Sequence, residues 1–361
     1  MGQSARAISV VTGSRAEFGL LKPVMRAIAE HPDLALHTIV TGTHLSADTK
    51  QDITAAGFAI DAEAPMQQPN DTGRAAETQA LARGIGEIGQ ALERLKPAFV
   101  LVLGDRIEAY AAASAAHVAG YRLAHVHGGD RAEGIADEAL RHAISKLAHV
   151  HCPASAASRR RLTRMGEPPA QVYRVGSPAI DDLSAIEPAT DAPAAIVLQH
   201  PIGEDEAQER QWMEATLHAT APYSRLVLMP NHDAGRAGIV QAIEAANVDA
   251  IEHVPRSRFV ALLKGARVIV GNSSAGLIEA AAVKTACVNV GPRQAGREKP
   301  GQVVDCDYGE ATVAGALEQA INLDLRRLRH PYGKGDAGRR IADTLAGLDL
   351  AALPLRKRNA Y

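Results

Sequence analysis

A chain of 361 residues is long enough for two domains, each with its own hydrophobic core. Its 39 basic and 41 acidic side chains nearly cancel, and no long basic run occurs, which argues against nucleic acid or a membrane surface as a partner. Aromatic residues are only 3% of the chain, which also counts against a surface that stacks nucleobases.

The three cysteines lie far apart and form neither a CxxC motif nor the spacing of a zinc site. Such thiols suit a reducing compartment. The N-terminal stretch lacks the long apolar core of a signal peptide, and the longest apolar windows are of strand length or are interrupted by charges. We therefore expect a cytoplasmic protein.

Strand and helix patterns alternate along the first half of the chain. Strands are predicted at residues 7–12, 36–40, near 58, and at 99–103, 121–126 and 149–153. Helices are predicted at 18–30, 49–56 and 73–95, and from about residue 136. This alternation predicts a parallel sheet with helices on both faces.

A segment rich in proline, alanine and acid at 186–193 is the predicted linker. A second series of strands begins after it, at 195–199, 225–229 and 268–270. We therefore expect an α/β protein with two Rossmann-like domains facing a cleft, at 1–186 and 187–336. A last helix is predicted at 337–348.

The most informative stretch, AHVHGGDRAEGIADEALRHAISK, occupies residues 124–146. It predicts a strand, a Gly-Gly turn with Asp130, and a helix. Titratable side chains stack on one side of that helix at spacings of four: Asp137 with Arg141, and Glu138 with His142. A salt-bridged helix start has the same spacing. The location at the carboxyl end of a strand favours a functional site, because open α/β sheets bind ligands there.

The second informative stretch follows the strand at 268–270. Gly271, Asn272, Ser273 and Ser274 form a turn before a helix predicted from about Gly276. Backbone N–H groups and serine hydroxyls there suit a diphosphate, although an ordinary serine N-cap looks the same. Further residues in this region suit the other parts of a nucleotide. The Glu279 carboxylate is a candidate acceptor for ribose hydroxyls, and Arg293 and Arg297 are candidate ligands for phosphate oxygens.

Other polar residues also lie at predicted strand ends. Arg15 follows the first strand, and Asp105 with Arg106 follows the strand at 99–103. His44 and His200 are two further active-site candidates. The pairs His125/His127 and His149/His151 lack a third ligand with suitable spacing, so structural histidines are favoured over a metal site. The turn that carries Arg15 does not read GxGxxG, so dinucleotide binding is not supported there.

Taken together, these motifs resemble the hydrolysing UDP-N-acetylglucosamine 2-epimerases of sialic-acid and related nonulosonic-acid pathways. The matching motifs span most of the chain: TGSRAEFG (12–19), TGTHLS (41–46), LGDR (103–106), HGGDRAEGIADEALRHAISKLAH (127–149), MPNHDAG (229–235), GNSSAGLIE (271–279) and GPRQAGRE (291–298). The resemblance implies the glycosyltransferase-B arrangement of two Rossmann-like domains. It also implies that the C-terminal helix, within 337–361, packs back on the first domain.

The resemblance implies loss of the proton at sugar carbon 2, departure of UDP, and addition of water to the resulting glycal. The implied acid–base residues are Asp105, Asp130 and Asp137, with Arg106, His44 and His142 beside the sugar. The implied UDP ligands are Arg15, His200, Asn231, Ser273, Ser274, Glu279 and Arg297. No metal or other cofactor is implied, and we expect a homodimer or homotetramer.

Asp130 departs from the family pattern, which has Glu at this position. Its shorter side chain bears either on which sugar is accepted or on which carboxylate acts, with Glu133, three residues on, as the alternative to Asp130. The resemblance includes enzymes acting on UDP-2,4-diacetamido-trideoxy sugars. Two other hypotheses use the same fold: a UDP-sugar glycosyltransferase, and a nucleotide-sugar sensor that binds without turnover.

Overall fold

The computed structural model describes residues 5–68, 73–133, 137–231 and 233–360, except for the side chain of Asp137. The described residues form two compact units. The first comprises those within Met1–Asp130, Asp137–Asp181 and Gly333–Tyr361. The second comprises those within Arg131–Ala136 and Asp182–Tyr332.

The first unit is built on a parallel sheet of six strands among the described residues: β1 (Arg6–Thr12), β2 (Leu34–Thr41), β3 (Ala62–Ala64), β4 (Phe99–Leu103), β5 (Arg122–Val126) and β6 (Val150–Cys152). Their spatial order is β3-β2-β1-β4-β5-β6. The central strand β4 reads FVLVL and is buried along its whole length, as expected for a strand covered by helices on both faces.

Helices cover this sheet: α1 (Arg15–Glu30), α2 (Thr43–Ser46), α3 (Gln51–Ala55), α4 (Arg74–Leu95), α5 (Ile107–Val118), α6 (Asp137–Leu147) and α7 (Ala156–Arg164). The hydroxyl of Ser14 caps α1 by accepting from the backbone N–H of Glu17. Apolar residues at helical spacing on α1, such as Leu21 and Met25, then pack into the core.

The second unit repeats this plan with six parallel strands in its described part: β7 (Ala195–Leu198), β8 (Arg225–Leu228), β9 (Ala250–Ile251), β10 (Val268–Gly271), β11 (Ala286–Val290) and β12 (Val303–Cys306). Their order is β12-β11-β10-β7-β8-β9. Its helices are α8 (Glu206–Thr220), α9 (Arg236–Ala245), α10 (Arg256–Gly265), α11 (Ser274–Leu277), α12 (Glu279–Val283) and α13 (Glu310–Ile321). Short 3₁₀ turns occur in the first unit at Pro169–Gln171 and Pro178–Ile180, and in the second unit at Leu183–Ala185 and Pro292–Gln294.

The C-terminal helix α14 (Ala337–Gly347) belongs to the first unit, where it packs against α1. Both oxygens of Asp181 accept from the backbone at its start, from Ala337 N at 3.0 Å and Gly338 N at 2.6 Å. Gly338 allows the close approach, because an added Cβ would lie 2.6 Å from the carbonyl oxygen of Pro23. Ile341 lies in the same core as α1.

The chain beyond α14 is attached to the first unit by polar contacts. Arg122 donates to the carbonyls of Leu350 and Leu353 at 2.9 and 2.8 Å. The ammonium of Lys357 donates to two carbonyls in the last turn of α6, those of Ser145 at 3.0 Å and Lys146 at 2.8 Å. We call residues 348–360 the tail.

Lys357 also enters a buried ion cluster. Its ammonium lies 2.6 Å from Oε2 of Glu167, whose side chain is fully buried. Lys146 and His151 contact the same carboxylate at 2.8 and 2.9 Å. These three partners outweigh burial and lower the pKa of Glu167 to about 2. The carboxylate therefore connects the tail to α6 and β6.

One predicted strand is wrongly positioned. The pattern places a strand near residue 58, but the strand is Ala62–Ala64, and Phe58 instead packs edge-to-face on Phe18 in the core. The edge strand β3 contains no β-branched residue, and contacts to β2 fix it. The hydroxyl of Thr41 donates to the carbonyl of Ala64 at 2.5 Å.

No helix in the described residues is both long and apolar enough to cross a membrane. Within the same part of the chain, no group of three or more His, Cys, Asp or Glu side chains is arranged to hold a metal ion.

Candidate active site

In each sheet the strand order reverses between the two central strands, which are β1 and β4 in the first unit and β7 and β10 in the second. In open α/β sheets, ligands bind outside the carboxyl ends of the strands at this point. Arg15, Asp105 and Arg106 follow the first pair closely, and His200 and Ser273 follow the second. The fold therefore places these predicted site residues at the two reversal points.

Arg141, on α6, connects the carboxyl group of Asp105 with the backbone of the turn that carries Asp130. Its side chain is 2% exposed and forms ion pairs with Asp105 and, at 2.6 Å, with Glu138. The same guanidinium donates to the backbone carbonyl of Asp130 at 3.3 Å. Asp105 follows β4 and Asp130 follows the neighbouring β5, so one buried arginine joins the turns that carry both.

The carboxyl group of Asp130 is held on both oxygens. Its Oδ2 lies 2.8 Å from Nδ1 of His127, and its Oδ1 accepts from the Ser158 hydroxyl at 2.6 Å. Nε2 of His127 in turn lies 2.9 Å from the Ser177 hydroxyl. His127 adopts a φ of +64°, which is uncommon for a residue with a side chain and marks a constrained turn. Asp130 is thus fixed in orientation, as proton transfer requires.

Helix α6 brings a further predicted residue to this group. Nε2 of His142 lies 3.1 Å from Oε1 of Glu138, and the other oxygen of Glu138 pairs with Arg141. Asp137 is the first residue of α6, and its side chain lies outside the described part of the structure. His142, Glu138 and Arg141 therefore form one chain of contacts along the helix.

The remaining candidates of the first unit have separate partners. Nε of Arg15, the first residue of α1, lies 2.5 Å from Oδ2 of Asp52. Nε of Arg106 lies 3.7 Å from a carboxylate oxygen of Glu108. His44 is fully buried, its ring nitrogens 3.3 and 2.9 Å from the hydroxyls of Thr12 and Thr49, and burial lowers its pKa.

Sequence reasoning missed a pair of buried glutamates beside β1. Oε2 of Glu17 accepts from the backbone N–H of Gly13 at 2.6 Å. Burial raises the pKa of Glu17 to about 8, and the nearby Glu108 contributes to the rise. Glu108 accepts from the amide of Gln67 at 2.7 Å. Glu17 lies within the TGSRAEFG motif, so the motif itself was the available signal.

In the second unit, Asn272 bridges the turns after β7 and β10. Its Oδ1 accepts from the backbone N–H of His200 at 2.7 Å, and its Nδ2 donates to the His200 carbonyl at 2.8 Å. Nδ1 of His200 accepts from the backbone N–H of Asn231 at 3.1 Å, and the Asn231 side chain bonds to Asp233. Asn272 is fully buried and fixes His200, although the sequence indicated it only as a turn residue.

The serine turn differs in detail from the predicted one. The helix begins at Ser274 instead of about Gly276, and the Ser273 hydroxyl accepts from the Ala275 N–H at 3.3 Å as its N-cap. A break at Ile278 separates α11 from α12, so Glu279 begins a new helix. The turn is small and tightly packed, since an added Cβ on Gly271 would lie 2.1 Å from the Leu198 carbonyl oxygen.

Three arginines of the second unit each make a further polar contact. Arg256 lies 3.3 Å from Oε1 of Glu279. Arg293 donates to the carbonyl of Asn272 at 3.4 Å, so it reaches the turn that holds His200. Nε of Arg297 donates to the carbonyl of Arg131 at 3.2 Å, within the second unit.

Comparison with known proteins identifies the family of the chain. Residues 26–346 match the family of UDP-N-acetylglucosamine 2-epimerases. The chain is 34% identical over 381 aligned residues to a hydrolysing UDP-N,N'-diacetylbacillosamine 2-epimerase of Legionella pneumophila, covering 99% of this chain and 100% of that protein. It is 30% identical to a UDP-N-acetylglucosamine 2-epimerase of Neisseria meningitidis, covering 91% of each.

The fold agrees with that of solved structures. A Neisseria meningitidis UDP-N-acetylglucosamine 2-epimerase, solved with bound UDP-N-acetylglucosamine, superposes with a TM-score of 0.79 at 19% identity, covering 94% of this chain and 99% of that one. The predicted class, α/β with two Rossmann-like domains of glycosyltransferase-B type, is confirmed. By sequence and by fold, the chain belongs to the UDP-N-acetylglucosamine 2-epimerase family.

Proposed function

We propose that the protein is a hydrolysing 2-epimerase of a UDP-2-acetamido sugar, releasing UDP and a free sugar inverted at carbon 2. A base takes the carbon-2 proton, the electrons of that bond form a double bond to carbon 1, and the bond to UDP breaks. Water then adds to the glycal, its hydroxyl at carbon 1 and a proton at carbon 2. The reaction needs positioned acid–base groups and cations or donors for the diphosphate.

The observation that carries this proposal is the group around Arg141. It joins Asp105, Glu138 and the turn of Asp130 in one buried set of contacts. A carbon–hydrogen bond is a weak acid, so a carboxyl group that removes its proton must be held in place. We assign the proton transfers to Asp105, Asp130 and Asp137.

We assign UDP binding to the strand ends of the second unit, and the family resemblance also assigns Arg15 to phosphate. His200, Asn231, Ser273, Ser274 and Arg297 would hold the diphosphate, and Glu279 the ribose. Support comes from the buried Asn272, which fixes the backbone of His200 on both sides. Preorganised donors stabilise a leaving anion without further rearrangement.

Two sugars fit this activity. UDP-N-acetylglucosamine is the first, since the family and the Neisseria relative carry its name. A UDP-2,4-diacetamido-trideoxy sugar is the second, and the Legionella relative, which matches 99% of the chain, is named for such a substrate.

The test is incubation of the purified protein with each of the two UDP-sugars. We expect UDP and a free sugar of inverted carbon-2 configuration from at least one, and deuterium at carbon 2 when the reaction runs in heavy water. Retention of the original hydrogen would rule out the glycal route. UDP release only with an added acceptor would indicate a glycosyltransferase, and calorimetric binding without product would indicate a sensor.

A further inference from the structure

The carboxylate proposed to bind ribose, that of Glu279, is itself held by an arginine from another helix. NH1 of Arg256 lies 3.3 Å from Oε1 of Glu279. The two side chains are 25% and 8% exposed, so the carboxylate is largely removed from water. Within the described residues, Arg256 is the one ion-pair partner of this carboxylate.

The two helices that carry this pair are packed together. Helix α10 begins at Arg256 and contacts α12, which begins at Glu279. At the other end, the Thr285 hydroxyl donates to the Leu263 carbonyl at 2.6 Å, so the end of α10 is held beside the segment that follows α12. The pair therefore lies between fixed elements and orients the carboxylate.

We propose that Arg256 is a positioning residue, which holds Glu279 so that its carboxylate accepts hydrogen bonds from the ribose hydroxyls of UDP. This inference rests on the proposed function. A carboxylate with one oxygen toward an arginine presents its other oxygen in a fixed direction, and a vicinal diol is a donor pair suited to it. Arg256 thereby sets the preference of the site for a ribonucleotide.

The same helix provides a matched control. Arg258 lies two residues further along α10 and pairs with Asp191, where the side chains are 45% and 67% exposed. Exposed pairs of this kind contribute little. R258M removes an arginine from the same helix without touching Glu279.

The experiment is calorimetric titration with UDP and with 2′,3′-dideoxy-UDP, which lacks both ribose hydroxyls, after a thermal melt has checked the fold. The wild-type protein should prefer UDP by roughly tenfold to a hundredfold, as expected for hydrogen bonds to a charged group. R256M should lose most of this preference by binding UDP more weakly while binding of dideoxy-UDP stays nearly unchanged. R256K should be intermediate, and R258M should match wild type.

Other results overturn the inference. Equal weakening of both ligands in R256M would show a general electrostatic effect, and unchanged binding of both would show that Arg256 does not act on the site. A wild-type protein that binds both ligands equally would remove Glu279 from the ribose. A wild-type protein that binds neither would refute the proposed function as well, which separates the two failures.

Discussion

Loss of Lys357 should destabilise the first unit strongly, although this residue lies near the end of the chain. Its ammonium contacts the buried carboxylate of Glu167 at 2.6 Å, and the Lys357 side chain is only 6% exposed. Removing one partner of a buried ion pair costs about 3–5 kcal/mol, because the other charge stays buried. Lys146 and His151 still contact Glu167 in Lys357→Met, which favours the lower end of this range.

The magnitude can be measured as a shift of the thermal transition. For a domain of this size, each kcal/mol shifts Tm by about 2–4 °C, so a loss of about 3 kcal/mol lowers Tm by roughly 6–12 °C. The assay is thermal unfolding followed by far-UV circular dichroism. Arg358→Met is the control, because Arg358 is the next residue and is exposed.

The effect should also depend on pH. The pKa of Glu167 falls from an ordinary 4.5 to about 2 in the folded protein, so its contribution is full above pH 4.5 and is lost as the pH falls towards 2. The difference between wild type and Lys357→Met should therefore shrink below pH 4.5. If Lys357→Met melts like Arg358→Met at neutral pH, the buried pair does not stabilise the tail and the reasoning is wrong.

Three further predictions concern other parts of the chain. The pKa of Glu17 rises from 4.5 to about 8, so between these pH values the folded protein keeps a proton that the unfolded chain has lost. The free energy of unfolding should therefore fall as the pH rises through this interval. Glu17→Gln should remove this pH dependence, as measured by urea titration at several pH values. Gly238→Ala should lower Tm, because its Cβ would lie 2.0 Å from a carbonyl oxygen of α8. Gly315→Ala, in a helix with open space around the position, should instead raise the free energy of unfolding by about 0.5–1 kcal/mol. Equal shifts of Tm in the two variants would contradict the packing argument. Asp130→Asn should reduce turnover by about 10²–10⁴ while Glu133→Gln stays active, and the reverse result would move the acid–base role to Glu133.

Much of the fold could be predicted because parallel strands are marked by local patterns. The strand FVLVL was predicted at its observed bounds, and the turn after it was correctly placed at a strand end. The short edge strand β3, with the sequence AEA, could not be predicted from its residues, because they have low strand propensity and contacts to β2 define the strand.

The candidate site shows the same limit. Asp105 and Asp130 were found because each follows a buried apolar run, but nothing near them in the sequence indicates that Arg141 joins them. Similarly, the bonds from Asn272 to His200 span 72 positions of sequence, and spacing rules describe only residues a few positions apart.

The attachment of α14 and the tail bears on the order in which the protein folds during synthesis. Arg6 bonds to carbonyls of Leu345 and Leu348, which lie 339 and 342 positions later, so the first unit is completed only when these two residues have left the ribosome. Most of the second unit, Asp182–Tyr332, is one continuous segment and emerges in full before that. The unit whose first strand is made earliest is thus completed after the other one. Until α14 has been made, the face of α1 that it covers stays exposed to chaperones and to aggregation.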